Sequence, residues 1–407
     1  MKLSKEQTFY RLVAVILVFM VAGILSRLAS QQAAGQNPSQ NLQSYTASVF
    51  AMDTYMTMEV WTDQEETGRA ALREAEEEIR RLEGLWSTGL SDSEISRLNG
   101  AGAEGDTVKS MQVSEDTCRL LYNAIVLYKM TDGAFDVTVY PVMEAWGFYH
   151  EKTDTPHVPK DEVLADLLTR VNAGAIVVNY DANSENREVG MADGEIRMKT
   201  EAIDSSMASG QDSACTVTLS QGVSIDLGGI AKGYTSMRIM EIFKEKGITC
   251  ALINLGGNVQ TMGNKPDGSA WKVGIKNPLA ASGQTSAADT IGVVDARDLA
   301  VVSSGGYERY FEEKGETYHH IIDPATGYPA KNGLVGVTIL SSDGTLADGL
   351  STALYVMGTE KAISFWKAHS YAFDCILVAE DGTVYVSEGA AACFTGAGET
   401  TVIRAGE

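Results

Sequence analysis

The sequence predicts an α+β fold. Three observations point there: a strongly amphipathic helical pattern over residues 65–85, short strand-like runs broken by glycine turns from residue 223 onward, and no repeat of fixed period. Helices interspersed among short mixed strands argue against a regular doubly wound sheet. The 407 residues, 44% hydrophobic and 21% charged, suit one large domain or two intimately joined ones with an ample core. Forty glycines against eight prolines indicate many tight turns. The net charge of −22, with no basic block beyond the extreme N-terminus, excludes a nucleic-acid partner. It also means that an anionic ligand needs local backbone N–H groups, a cation or a lysine to hold it.

The elements follow in chain order. Lys2, Lys5 and Arg11 precede an apolar run, Leu12–Leu25, shorter than the roughly 20 residues of a membrane span. Residues 1–30 therefore read as a signal peptide or N-terminal membrane anchor, placing the chain outside the cytoplasm, membrane-anchored or secreted. Residues 31–44 read as a linker, 45–397 as the folded domain and 398–407 as a C-terminal tail. Thr46–Trp61 alternates like a first strand. Over Glu65–Leu85, Leu72, Ala75, Ile79 and Leu82 share one helix face. Ser114 can cap a helix that runs to about Met130 and stops at Thr131-Asp132-Gly133. A helix follows near Lys160–Val171. Val223–Leu227 reads as a strand, Gly228-Gly229 as a turn and Ile230–Lys246 as a helix. Two more helices are expected, from near Asp348 and over Thr359–His369. The five cysteines are scattered, with no CxxC pair, so neither a zinc site nor an iron–sulfur or haem pattern follows, and buried single thiols are the default.

Four segments set rare polar residues beside glycine turns. In Asp226-Leu227-Gly228-Gly229-Ile230-Ala231-Lys232-Gly233-Tyr234, glycines entering a helix admit close backbone approach, and Lys232 sits in the first turn, within reach of a phosphate or ribose. The pattern is neither a P-loop nor GxGxxG, and alone it fits a strand-to-helix turn with a surface lysine slightly better. In Tyr318-His319-His320-Ile321-Ile322-Asp323, two of only five histidines end a strand, where neighbours face opposite sides, so one can face the core and the other a cleft, where histidine suits proton removal; a structural histidine is the commoner reading. Asp348 and Thr352 lie one turn apart on a helix, a carboxylate and hydroxyl pair suited to a hard cation; a plain helix N-cap at Asp348 is the rival reading. In Gly133-Ala134-Phe135-Asp136, Phe135 offers a ring and Asp136 an acceptor, although a lone Phe is more often core.

Taken together and in order, these segments resemble the flavin transferase family (ApbE). The resemblance runs from about Phe50 to Phe365 and includes Ser93–Asn99, Asn254-Leu255-Gly256-Gly257-Asn258, Ile275-Lys276-Asn277-Pro278 and Ser303-Ser304-Gly305-Gly306-Tyr307-Glu308-Arg309. It implies the family's α+β domain and a magnesium-dependent enzyme that takes FAD as substrate. Such an enzyme passes FMN through a phosphoester to a threonine or serine of a target protein and releases AMP. By position, Met52, Ala134, Phe135, Asp136, Asp226, Lys232 and Ile321 match flavin dinucleotide contacts. Gly229, through its carbonyl, with Asp348 and Thr352 matches the Mg2+ site, and His320 the base. The implied partners are exported or membrane redox proteins bearing the acceptor hydroxyl. The chain has no Ser/Thr-Gly-Ala-Thr acceptor motif of its own. Three positions depart from the family pattern: Asp53 in Met52-Asp53-Thr54 where the family has glycine, Gly89 where an aromatic is frequent, and Met237 in place of an aspartate. Water as acceptor, giving an FAD pyrophosphatase, and non-catalytic FAD binding are the alternatives.

Overall fold

In the computed structural model, the residues described are 42–100, 108–149, 156–180, 187–189, 215–280, 289–370 and 372–406. The expected signal or anchor segment lies outside them, as does nearly all of the linker. No helix among the described residues is long and apolar enough to cross a membrane. The α+β expectation holds, with four sheets among the described residues and helices interspersed.

Thr46–Trp61, expected as one strand, is two. Strands β1 (Gln43–Ala51) and β2 (Thr54–Thr62) meet at Met52–Asp53, both with positive φ (49° and 57°), the signature of a tight two-residue hairpin. Helix α1 (Glu65–Trp86) buries Leu72, Ala75, Ile79 and Leu82 as its periodicity requires, and α2 (Glu94–Gly100) follows. After β3 (Val108–Val113), α3 (Glu115–Met130) starts where Ser114 accepts the Thr117 N–H and ends before Gly133 at φ 79°. The short α4 (Tyr140–Ala145) and α5 (Asp161–Leu168) precede β4 (Val177–Tyr180), β5 (Arg187–Val189) and β6 (Cys215–Ser220).

Val223–Leu227, expected as a strand, joins no sheet. Its neighbours are a side chain and the short 3-10 turn Val137–Val139. The Asn99 amide brackets Ile225, accepting its N–H and donating to its carbonyl at 2.8 Å each, while Asp226 N–H donates to Val137 O. The segment leads through Gly228–Gly229 into α6 (Ala231–Glu245). Then come β7 (Ala251–Leu255), β8 (Asn258–Met262), β9 (Trp271–Lys276), β10 (Thr290–Ala296), β11 (Ala300–Ser304), β12 (Tyr310–Glu313), β13 (Glu316–His319) and β14 (Leu334–Ser341). Helix α7 (Gly344–Met357) starts four residues before Asp348 and is capped by Asp343, whose side chain accepts the Leu346 N–H; the N-cap reading of Asp348 is thereby overturned. Helix α8 (Thr359–His369), β15 (Asp374–Ala379), β16 (Val384–Ser387), α9 (Glu388–Ala391), β17 (Phe394–Gly396) and β18 (Thr401–Ile403) complete the chain. The expected tail is thus part of the fold, because β18 pairs in parallel with β16 at the end of the main sheet.

The main sheet has nine strands in the order β1-β2-β7-β8-β11-β14-β15-β16-β18. One core cluster joins β1, β2 and β7 to α1 and α6; a larger one joins α3, α6, α7 and the strands they cover. A disulfide ties Cys118 of α3 to Cys215 of β6, correcting the expectation of single thiols for this pair; Cys250, Cys375 and Cys393 are free. Trp146 is fully buried among Phe148, Phe311, Tyr318 and Tyr328, and its indole N–H donates to Gly327 O at 2.7 Å. That tryptophan therefore anchors the turn after Asp323, which holds the chain next to His320.

Candidate active site

The ends of β2, β7 and β11, the start of α6 and one face of α7 enclose a cleft of about 590 Å³, within the range of cofactor-sized pockets. All the residues singled out from the sequence line it: Met52, Ala134, Phe135, Asp136, Asp226, Gly229, Lys232, His320, Ile321, Asp348 and Thr352. Segments far apart in sequence are brought together by the order of the main sheet.

The two histidines divide as strand alternation requires. His319 is buried: its Nε2 donates to Ala330 O at 3.0 Å, its Nδ1 accepts from Ile321 N–H, and Tyr355 packs edge-on against its ring. It is a satisfied core histidine. His320 faces the cleft. Its Nδ1 lies 3.2 Å from Arg309 O, and a carbonyl only accepts, so Nδ1 carries the proton and Nε2 keeps a free lone pair. Burial lowers its pKa to about 3, helped by the Arg309 guanidinium. The ring is therefore neutral at physiological pH.

Asp348 is 4% exposed and comes from α7, yet it closes the first turn of α6. Its Oδ2 accepts the Gly233 N–H at 2.8 Å. Burial raises its pKa; Lys232, the Gly233 N–H and Asn258 act the other way. Thr352 lies one turn further along α7. A Cβ on Gly229 would sit 3.9 Å from the Thr352 hydroxyl and only 3.2 Å from the Phe135 ring, so the glycine backbone presses close to both. Ser351 locks this part of α7, donating to Asp348 O and meeting Ser304 of β11 at 2.7 Å. A carboxylate, a hydroxyl and a backbone carbonyl are hard oxygen donors, the set that suits magnesium when phosphates and waters fill the remaining positions. Among the described residues, no cluster of three His, Cys, Asp or Glu offers another metal site.

Phe135 belongs to the core, 4% exposed, and forms the wall behind Gly229. Asp136 spends both oxygens on its own loop, accepting from Thr138 N–H, Thr138 O–H and Ala173 N–H. The structure gives these two a part in shaping the cleft. Asp226 accepts from the Tyr149 hydroxyl at 2.8 Å; burial raises its pKa while Tyr149, Gly228, Arg309 and Lys232 oppose that. Lys232 Nζ donates to Gly228 O at 3.2 Å, arching over the glycine turn. Met52 donates its N–H to Glu83 Oε1 at 2.6 Å.

Of the three departures, Asp53 and Gly89 line the cleft and Met237 does not. Asp53 occupies a positive-φ position that glycine takes without cost and aspartate tolerates. Met237 accepts from Gln260 Nε2, under α6. Several lining residues carry no sequence expectation. Glu308, whose pKa burial raises, and Arg309 belong to the Ser303–Arg309 segment already noted, so their signal was present. Tyr149 and Glu83 had none.

A model of the ApbE family matches residues 52–377. The FAD:protein FMN transferase of Haemophilus influenzae is 31% identical over 325 residues, covering 80% of this chain and 83% of its own. That of Treponema pallidum is also 31% identical, over 331 residues, covering 79% and 80%. The crystal structure of the ApbE protein of Thermotoga maritima superposes with a TM-score of 0.69 at 30% identity, over 85% of this chain and 98% of the other.

Proposed function

The chain belongs to the ApbE family, and from that premise we propose that it transfers FMN from FAD to a threonine or serine hydroxyl of a partner protein, with magnesium and with release of AMP. One observation carries the reading: a neutral histidine with a free Nε2 shares a cleft with an oxygen-donor cation site and a lysine-bearing helix start.

Six carboxylates (Asp53, Glu83, Asp136, Asp226, Glu308, Asp348) line the cleft against two fixed cations, Lys232 and Arg309. A pyrophosphate entering that field needs further positive charge. Bound by Asp348, Thr352 and the Gly229 carbonyl, magnesium would neutralise the pyrophosphate. The chain does the rest. Lys232 and Arg309 orient the phosphates, and the Gly228–Gly229 turn lets them approach the backbone. His320 Nε2 takes the proton of the acceptor hydroxyl as its oxygen bonds to the FMN phosphorus. The bond from that phosphorus to the bridging oxygen breaks, and AMP leaves with the oxygen. Phosphate charge beside Arg309 and Lys232 would offset those two cations' share in depressing the His320 pKa, while burial, the larger cause, persists, so the base would strengthen in part when substrate is present.

The same reading sets the chain outside the cytoplasm, with exported or membrane redox proteins as acceptors. The N-terminal apolar run and the Cys118–Cys215 disulfide, a bond of oxidising compartments, support this. The test is to incubate the chain from residue 31 with FAD, magnesium and an acceptor domain, then weigh the acceptor. A mass gain of one FMN, abolished by chelator, is expected. AMP formed at the same rate without acceptor would replace transfer by hydrolysis, and bound FAD with neither product would leave a binding protein.

A further inference from the structure

Asn258 opens β8 and lines the cleft, yet its side chain is 1% exposed and neither Nδ2 nor Oδ1 has a hydrogen-bond partner. Its polar neighbours on the same hairpin are paired. Asn254 accepts the Gly257 N–H at 2.9 Å, and Gln260 is paired with Ser236 at one end and Met237 at the other. Among the described residues, no other buried side-chain amide lacks a partner for both its atoms. A wholly unpaired buried amide is costly, and folds keep few of them without a ligand to satisfy them.

The backbone cannot swing the side chain away, because Asn258 is fixed between Leu255 of β7 and Val302 of β11. The adjacent group is the Asp348 carboxylate: the Asn258 N–H2 lies near enough to lower its pKa as a hydrogen-bond donor, although no well-aligned bond is formed. A carboxylate accepts only, so it can satisfy the amide N–H2 after a small shift but not Oδ1, which needs a donor. Magnesium retains part of its water shell, and such water donates strongly. We propose that Asn258 is a positioning residue of the cation site, its N–H2 turning to Asp348 and its Oδ1 accepting from a water carried by the cation. This rests on the cation site proposed above. Outer partners of this kind typically change metal affinity by about 10–100-fold.

The test is direct binding of Mn2+, read by the loss of its free EPR signal, without FAD and again with saturating FAD, together with melting curves in EDTA. Asn258→Leu replaces the amide by an apolar group of similar size. We expect Mn2+ binding about 10-fold or more weaker, with a melting temperature in EDTA equal to or above that of the parent chain. A purely structural asparagine gives the reverse: unchanged Mn2+ affinity, a lower melting temperature, or both, and any of these overturns the proposal. Should Asn258→Leu fail to fold, Asn258→Asp decides. It keeps an acceptor oxygen and adds charge beside the cation, so it is expected to bind Mn2+ at least as tightly as the parent, and weaker binding refutes the role. If the parent chain binds no Mn2+ in either condition, the cation site itself is wrong and this inference falls with it. Parent binding with an unaffected Asn258→Leu removes the inference alone.

Discussion

Gly233→Ala tests how the two helices that build the proposed cation site are held together. Helices α6 and α7 cross where Gly233 faces Gly344. An added Cβ would lie 2.2 Å from Gly344 O and 2.7 Å from Asp348 Cβ, and the first of these is backbone that no rotamer change can move. The helices must therefore part by roughly 1 Å in a close-packed interior. Overpacking of this kind costs about 1–3 kcal/mol. Parting also stretches the 2.8 Å bond from Gly233 N–H to Asp348, a charge-assisted contact worth about 1.5–3 kcal/mol. Against these stands the helix propensity of alanine over glycine, about 1 kcal/mol. The clash wins, and a net loss of up to about 1.5–5 kcal/mol is expected. The control is Gly84→Ala in α1, where a Cβ meets nothing within 4 Å, so propensity alone acts and about 1 kcal/mol is gained. Urea midpoints measured in EDTA read both, and the magnesium concentration for half-maximal AMP release should rise only for Gly233→Ala. Stabilisation of both variants, with unchanged magnesium dependence, would refute the helix-crossing account.

The remaining expectations concern the reacting groups and the staple. His320→Gln should slow FMN transfer by about 10²–10⁴-fold while FAD still binds, as judged by flavin fluorescence and acceptor mass. Arg309→Gln keeps the carbonyl that fixes Nδ1–H but removes a charge that lowers the His320 pKa. His320 should then titrate above about 3, partway back toward 6.5 because burial persists, and NMR of the ring protons would expose an unmoved value. Asp348→Ala should abolish magnesium-dependent turnover in a chain that stays folded; undiminished turnover at limiting magnesium would contradict its assignment. Reducing the Cys118–Cys215 bridge, which spans 97 residues, should cost about 2–5 kcal/mol, seen as a lower melting temperature in dithiothreitol.

What could be read from the sequence was local in origin. Helices α1, α3 and α8 declare themselves because a 3.6-residue apolar period and, for α3, a serine cap lie within the segments themselves. The residues that share the cleft were singled out through short motifs for the same reason. Pairing is another matter. The alternation Val223, Ile225, Leu227 is real, and all three are buried, but what completes their backbone is Asn99 and Val137, remote in sequence. The β1–β2 turn escaped notice because Met52–Asp53 lacks the Asn-Gly or Asp-Gly signature of such turns, although its positive φ values are the same. Asp343 and Asp348 are equally good caps on paper; only the folded start of α7 distinguishes the one that caps its own helix from the one that closes α6. Nothing local marks Tyr149 as the partner of Asp226, or Cys118 as that of Cys215.

The acidity that looked hostile to a dinucleotide is explained by where the carboxylates spend their charge. Asp136 is consumed by three donors of its own loop, and Asp226 is bridged by Tyr149, so both order the walls and present little free charge to a phosphate. Glu83 is engaged by the Met52 N–H at the hairpin mouth. Asp348 differs: buried, only partly offset by Lys232, the α6 N–H groups and Asn258, and flanked by an amide oxygen with no donor. A site in that condition attracts a cation before it attracts an anion. Under the proposed function, this electrostatics would set the order of events: positive charge beside Asp348 first, the pyrophosphate next against Lys232 and Arg309, and then His320 acting on the acceptor hydroxyl.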